Sequence, residues 1–103
     1  MKLTSKERAA LRGEAHHLKA LVHMGQHGVT DTVCQTIDDV LRTRELVKIQ
    51  LGKQGDVKPK ALANELAEAL GADVVQVIGK TITLYRENPD LPRKKGDEAP
   101  WRV

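Results

Sequence analysis

In the first third of the chain, the spacing of apolar positions predicts a helix followed by a strand. Thr4 and Glu7 have the spacing of a capping box, and the apolar residues after them predict a short helix that stops before Gly13. The apolar run at residues 20–24 predicts a buried strand that ends at Gly25.

The middle of the chain repeats this alternation of helix and strand. Thr30 suits the cap of a second helix, and residues 45–51 alternate apolar and polar side chains as a half-buried strand does. Pro59 suits the first position of a third helix, which Gly71 ends. The second helix has one apolar face, formed at i, i+4, i+7 and i+8 by Val33, Ile37, Val40 and Leu41.

Two runs rich in β-branched residues complete the pattern. Residues 73–78 and 81–86 are separated only by Gly79 and Lys80, which is the signal of a two-residue type II′ hairpin. The order of elements is therefore α-β-α-β-α-β-β. Because helical crossovers join parallel strands and a tight hairpin joins antiparallel ones, we expect an α/β fold with a four-stranded mixed sheet packed with helices.

Length and composition fit one domain with an aliphatic core. The chain has 103 residues, of which 40% are hydrophobic, and it contains no Phe. A chain of this length builds one modest core, which we assign to residues 1–86. Residues 87–103 include Pro89, Pro92 and the basic run 93–95 and show no periodicity, so we expect a disordered basic tail.

The single cysteine and the length of the apolar runs indicate where the protein acts. Cys34 has no partner for an intramolecular disulfide, and its apolar neighbours predict a small buried side chain in a reducing compartment. No apolar run approaches the roughly 18 residues of a membrane span, and the N-terminal segment lacks the apolar stretch of a signal peptide. We therefore expect a cytoplasmic protein that contacts no membrane.

Positive charge is concentrated near the N-terminus. The net charge is only +3, yet residues 1–28 contain five basic residues, two glutamates and all four histidines. An anionic partner is attracted first to this part of the chain. The basic residues are Lys2, Lys6, Arg8, Arg12 and Lys19.

A GxxG sequence, Gly25-Gln26-His27-Gly28, lies between the first predicted strand and the second predicted helix. A helix N-terminus has unpaired backbone N–H groups at a positive dipole end, and glycines let a phosphate approach the backbone closely. The K-homology domain clamps a nucleic-acid backbone with such a loop. A plain turn that needs glycine for a positive φ accounts for the same residues, and this alternative stays open.

Other chemistry has less support in the sequence. The histidines lack the spacing of zinc sites, and Asp38 and Asp39 are adjacent on a helix, where they suit solvent better than general acid–base catalysis. We predict no enzyme activity, metal, cofactor or small-molecule substrate. Lys48, Lys80 and Arg86 either extend the basic surface or serve only solubility. Because only 2% of the residues are aromatic, any RNA contact should be to the backbone and to shape, with little direct reading of bases.

Five motifs occur in a familiar order: a basic first helix ending in LRG, HxLK at residues 16–19, the GxxG loop, ELVK at residues 45–48 and VIGKTITLYR at residues 77–86. Together they resemble the bacterial single-domain members of the CRM family (chloroplast RNA splicing and ribosome maturation), the YhbY-type RNA-binding proteins. The resemblance covers residues 3–86.

This resemblance implies a fold like the C-terminal domain of bacterial translation initiation factor three, and RNA binding without catalysis. It implies association with precursors of the large ribosomal subunit, with ribosomal RNA as the partner. We separately expect a monomer. The alternative is a protein-interaction module whose basic face meets an acidic partner. The residues to which the family's RNA face carries over are Gly25, Gln26, His27, Gly28, Lys6, Arg8, Arg12 and Lys19, and we add Lys80 and Arg86.

Overall fold

A computed structural model describes residues 3–25, 29–52 and 58–88. Within these residues the chain forms three helices and four strands, in the order that the sequence predicts. They are α1 (Ser5–His16), β1 (Val22–Met24), α2 (Asp31–Arg44), β2 (Leu46–Leu51), α3 (Pro59–Leu70), β3 (Asp73–Ile78) and β4 (Thr81–Tyr85).

The four strands form one sheet in the order β1-β2-β4-β3. β1 and β2 are parallel, whereas β4 is antiparallel to both of its neighbours. The predicted α/β fold with a four-stranded mixed sheet is therefore confirmed. Because β1, β2 and β3 run in the same direction, all three end at one edge of the sheet, which we call the loop edge; it comprises Gly25, Gly52, Gly79 and Lys80.

The larger part of the core lies between one face of the sheet and the helices α2 and α3. Alternate side chains of β2 and β4 point to this face, as the period of a strand requires. The side chains buried here from these four elements are Val47, Ile49, Leu51, Ile82, Leu84, Ile37, Leu41, Leu62, Ala63, Leu66 and Ala67.

Helix α1 packs on the other face of the sheet. Its Leu11 and Ala15 are buried against Leu46, Val75 and Tyr85, which lie in the half of the sheet farther from the loop edge. Toward the loop edge the same face carries polar side chains. Among them, the hydroxyl of Thr81 donates to Oε1 of Gln50 at 3.1 Å.

The N-terminal elements differ from their predicted bounds. The prediction that the first helix stops before Gly13 is wrong, because α1 continues to His16. Gly13 is exposed, while Leu11 and Ala15 on either side of it are fully buried. Their burial offsets the helix-breaking tendency of one glycine, about 1 kcal/mol. β1 begins later than predicted, at Val22, and Leu21 is 50% exposed.

The start of β2 also differs from its prediction by one residue. Glu45 does not belong to the strand: it ends α2 in the left-handed region, with φ 66°, and its N–H donates to the carbonyl of Leu41 at 2.9 Å. Other predicted helix ends are confirmed. The hydroxyl of Thr30 accepts the N–H of Val33, Pro59 begins α3, and Gly71 ends it with φ 63°.

The chain remains attached to the domain beyond the last strand. The backbone N–H of Asn88 donates to the buried carboxylate of Glu45 at 2.6 Å, and its side-chain amide donates to the carbonyl of Arg42 at 2.7 Å. The predicted disordered tail, residues 87–103, lies outside the described residues from residue 89 onward.

Two glycines offer a matched test of backbone conformation. A Cβ on either Gly13 or Gly71 would meet no atom within 4 Å, but only Gly71 has a positive φ. We expect Gly13→Ala to raise the free energy of unfolding by about 0.5–1 kcal/mol and Gly71→Ala to lower it by about 1–2 kcal/mol. Urea denaturation followed by circular dichroism measures both, and equal effects of the two substitutions would contradict this account.

Candidate functional site

The loop edge is held together by backbone hydrogen bonds between its connections. The N–H of Gly52 donates to the carbonyl of Met24 at 2.8 Å, and the N–H of Leu51 donates to the carbonyl of Lys80 at 2.7 Å. The first bond joins the end of β2 to the end of β1, and the second joins it to the β3–β4 hairpin. The residues that follow β1 therefore start from a fixed position.

The predicted GxxG loop begins at this edge. Gly25 is exposed directly after β1, and a Cβ on it would meet no atom within 4 Å. Gln26, His27 and Gly28 lie outside the described residues. The chain is described again at Val29, and α2 begins at Asp31, so its N-terminus lies six residues beyond Gly25.

The cations of α1 differ in how far they reach into solvent. Lys6 and Arg12 are exposed, and Lys19 is exposed in the segment that joins α1 to β1. Arg8 is half-buried beside the apolar face of α1, and its Nε is buried with no hydrogen-bond partner among the described residues. Arg8 and Arg12 are four residues apart and therefore share one flank of the helix.

The two predicted cations of the hairpin strands lie at opposite edges of the sheet. Lys80 is exposed at the loop edge. Arg86 follows β4 at the other edge, where its Nη1 lies 2.9 Å from a carboxylate oxygen of Asp38 and donates to the carbonyl of Leu70 at 2.9 Å. The structure thus brings Gly25 and Lys80 to one edge and places Arg86 away from them, as a link between α2 and α3.

A second arginine shares the carboxylate of Asp38. Arg42 Nε lies 3.1 Å from Asp38, and its Nη2 contacts Asp39. The hydrogen bond and the charge of Asp39, together with the charge of Asp38, raise the pKa of Arg42 above its ordinary value. These ion pairs were not predicted from the sequence. The i, i+3 and i, i+4 spacings of Arg42 are visible in the sequence, whereas Arg86 lies 48 residues beyond Asp38.

The alternation of side chains along β2 is sufficient to predict the face of the sheet to which Lys48 points. It alternates with Val47 and Ile49 along β2, so it points to the face on which α1 packs. Its ammonium donates at 3.4 Å each to the carbonyls of Ala15, in the last turn of α1, and of Leu18, two residues beyond the helix. Lys48 therefore places a positive charge at the negative end of the helix dipole.

The described residues contain neither a metal-binding cluster nor a membrane-spanning helix. No three side chains of His, Cys, Asp or Glu in this part of the chain are grouped closely enough to hold a metal ion. None of the helices described here combines the length and the apolar composition that crossing a membrane requires.

Comparison with known proteins identifies the family. A model of the CRS1/YhbY (CRM) domain matches residues 3–86. This chain belongs to the CRM domain family. The match covers the same residues as the five motifs, so the resemblance inferred from them is confirmed.

Individual members of the family are similar over nearly their whole length. The chain is 34% identical over 88 residues to the "Probable RNA-binding protein YqeI" of Bacillus subtilis, covering 85% of this chain and 92% of that protein. It is 32% identical over 96 residues to a protein of Haemophilus influenzae named RNA-binding protein, covering 89% of this chain and 97% of that protein.

A solved structure supports the fold of this CRM domain. The solution structure of SAV1595 from Staphylococcus aureus, a hypothetical protein described as a candidate for RNA binding, superimposes with a TM-score of 0.76. The two chains are 35% identical, and the alignment covers 96% of this chain and all of the other.

The two cations of the hairpin strands should respond differently to mutation in this CRM domain. We expect Arg86→Met to lower the free energy of unfolding by about 1–3 kcal/mol, because it leaves the carbonyl of Leu70 without this donor and Asp38 with Arg42 alone. Lys80→Met removes an exposed cation and should change it by less than about 0.5 kcal/mol. Urea denaturation of both variants makes the comparison, and equal losses would show that the Arg86 contacts do not contribute to stability.

Proposed function

We propose that this CRM domain binds ribosomal RNA in precursors of the large ribosomal subunit during ribosome assembly, as a cytoplasmic monomer without a catalytic step. The GxxG loop, residues 25–28, seats a phosphate on backbone N–H groups near the start of α2. Lys6, Arg8, Arg12, Lys19 and Lys80 attract and position the RNA. Arg86 is left out of this set because Asp38 neutralises it.

The observation that carries the proposal is the direction in which the arginines of α1 point. On a helix whose Leu11 and Ala15 face the sheet, Glu14 lies on one flank, and Arg8 and Arg12 lie on the other. Glu14 lines a cavity with Arg44 and Leu46 at the edge opposite the loop edge. The flank with the two arginines therefore points away from that cavity, which supports the proposal that it meets RNA together with Gly25 and Lys80.

The nature of the anion follows from the relatives and from the composition. Relatives at 34% and 32% identity are named as RNA-binding proteins, which favours RNA over other polyanions. The chain has one Trp, one Tyr and no Phe, so contacts to phosphates and to RNA shape fit it better than stacked bases do. The choice of ribosomal RNA comes from the resemblance to the ribosome-maturation members of the family.

A carboxylate in the GxxG loop tests the phosphate site. We expect Gln26→Asp combined with His27→Asp to weaken RNA binding at least tenfold, because two negative charges at the helix N-terminus repel phosphate. The measurement is fluorescence anisotropy with labelled ribosomal RNA fragments and a non-ribosomal duplex. The parent protein should bind the ribosomal fragments more tightly.

A variant with the same change in net charge provides the control. Asn64→Glu combined with Ala69→Glu also adds two negative charges, at exposed positions of α3, which packs on the face of the sheet opposite α1. It should bind RNA within about twofold of the parent protein. If the loop variant folds and binds as the parent does, the loop is only a turn, and if the parent binds no RNA, the acidic-partner alternative is favoured.

The salt dependence of binding tests the role of α1. For each phosphate neutralised, the logarithm of affinity should fall by about 0.7–0.9 per unit of the logarithm of salt concentration. Arg12→Glu should weaken binding at low salt and reduce this slope by about one phosphate, whereas the α3 control variant should leave the slope unchanged. A slope that is the same in all three proteins would remove α1 from the RNA face.

A further inference from the structure

A cavity of about 330 Å³ opens beside the C-terminal end of α1, between that end and the start of β2. Its apolar wall consists of Leu18, Leu21 and Leu46. Leu21 is 50% exposed, a large apolar side chain at the mouth of a cavity. The volume is at the small end of the roughly 300–1,000 Å³ of ligand pockets, so the cavity suits one flat group and not a helix or a strand.

Three cations line the same cavity, namely Lys19, Arg44 and Lys48. Within the described part of the chain, no carboxylate oxygen lies within the 4 Å of an ion pair from any of their nitrogens. Arg42, one helical half-turn from Arg44, is by contrast paired with Asp38 and Asp39. Three cations and one carboxylate, Glu14, leave a net positive charge at this apolar surface, which favours an anionic ligand with an apolar body.

Glu14 narrows the class of ligand. It lines the same cavity, and its carboxylate has no hydrogen-bond donor among the described residues. A carboxylate in a site that only attracts phosphate would weaken it by repulsion. It contributes if the ligand also presents N–H donors, because its two oxygens accept two parallel hydrogen bonds. Guanine presents two adjacent donors, an imino and an amino group, on its Watson–Crick edge.

We infer that this cavity binds one unpaired guanosine nucleotide of the RNA, an inference that rests on the proposed RNA binding. The base lies against Leu18, Leu21 and Leu46, and Glu14 accepts its imino and amino N–H groups. Lys19 and Arg44 at the rim contact the phosphates, and Lys48 stabilises the nearby carbonyls of α1. Unpaired bases that are splayed out of a loop or bulge are the usual targets of sequence-specific RNA recognition.

The cavity lies within reach of the rest of the proposed RNA face. Leu21, at the mouth of the cavity, directly precedes β1, and Gly25, at the loop edge, directly follows it. Four extended residues span about 13 Å at a rise of about 3.3 Å each. A few nucleotides of one strand can therefore connect a phosphate at the GxxG loop to a base in the cavity.

The test uses the full chain and one RNA hairpin whose loop contains a single guanosine among uridines. A second hairpin replaces the guanosine with inosine, which lacks only the amino group. We expect the parent protein to bind the guanosine hairpin about tenfold more tightly than the inosine hairpin in fluorescence-anisotropy titrations. Glu14→Gln should reduce this ratio to less than about twofold, because the amide presents one acceptor oxygen instead of two.

Matched controls distinguish a specific effect of the Glu14 carboxylate from the effect of a change in net charge. Glu68→Gln removes the same charge from an exposed position of α3 and should keep the tenfold ratio. Arg44→Ala should weaken binding of both hairpins equally, since it contacts phosphate, while Arg42→Ala should have a smaller effect because its charge is already neutralised. Leu21→Asp should abolish the preference for guanosine by placing a carboxylate where the base packs.

The outcomes distinguish the two proposals. If the parent binds both hairpins equally, or if Glu14→Gln keeps the tenfold ratio, the guanosine site is wrong while RNA binding stands. If the parent binds no RNA, both proposals fail. Binding of an acidic leucine-containing peptide that depends on Arg44 and Leu21, with no preference between the hairpins, would assign the cavity to a protein partner and overturn the inference.

Discussion

The antiparallel pairing of β2 with β4 is the contact on which the rest of the structure depends. It joins the parallel pair β1–β2 to the β3–β4 hairpin through five residue pairs, from Leu46–Tyr85 to Gln50–Thr81. Both strands are central, so their side chains must be covered on both faces. Helices α2 and α3 cover one face, and α1 covers part of the other. The same pairing places the ends of β1, β2 and β3 at one edge, and thereby fixes where the GxxG loop starts.

Helix α1 covers only part of its face of the sheet. As a result, the two edges of the sheet differ in the residues that they present. Leu11 and Ala15 bury the half near Leu46 and Tyr85, and the other half stays polar. Backbone hydrogen bonds hold the connections together at the loop edge, while at the opposite edge side-chain ion pairs through Asp38 join α2 to the chain after β4. A partner can therefore approach the loop edge without breaking the contacts that hold the helices to the sheet.

Local signals predicted most of the fold, and long-range contacts account for what they missed. Thr30, Pro59, Gly71 and the Gly79–Lys80 hairpin act through their own backbone geometry, so their types were sufficient. The continuation of α1 through Gly13 depends on burial of Leu11 and Ala15 against strands that come later in the chain. The candidate site follows the same division. Lys6, Arg12 and Lys80 are exposed, as the sequence leads one to expect of charged side chains. Arg86 instead pairs with Asp38, 48 residues earlier in the chain, and local sequence does not predict that contact.

The pairing of the cations tells more about binding than the net charge does. Arg42 and Arg86 share the carboxylate of Asp38, so their charges are largely neutralised within ion pairs that hold α2 and the end of β4 in place. Lys6, Arg12, Lys19 and Arg44 have no such partner among the described residues, and all lie on α1, in the segment after it or beside its cavity. A net charge of +3 therefore understates the potential on this side of the sheet. Since aromatic side chains are so few, the proposed guanosine site depends on leucines and on hydrogen bonds at the edge of the base, and not on stacking.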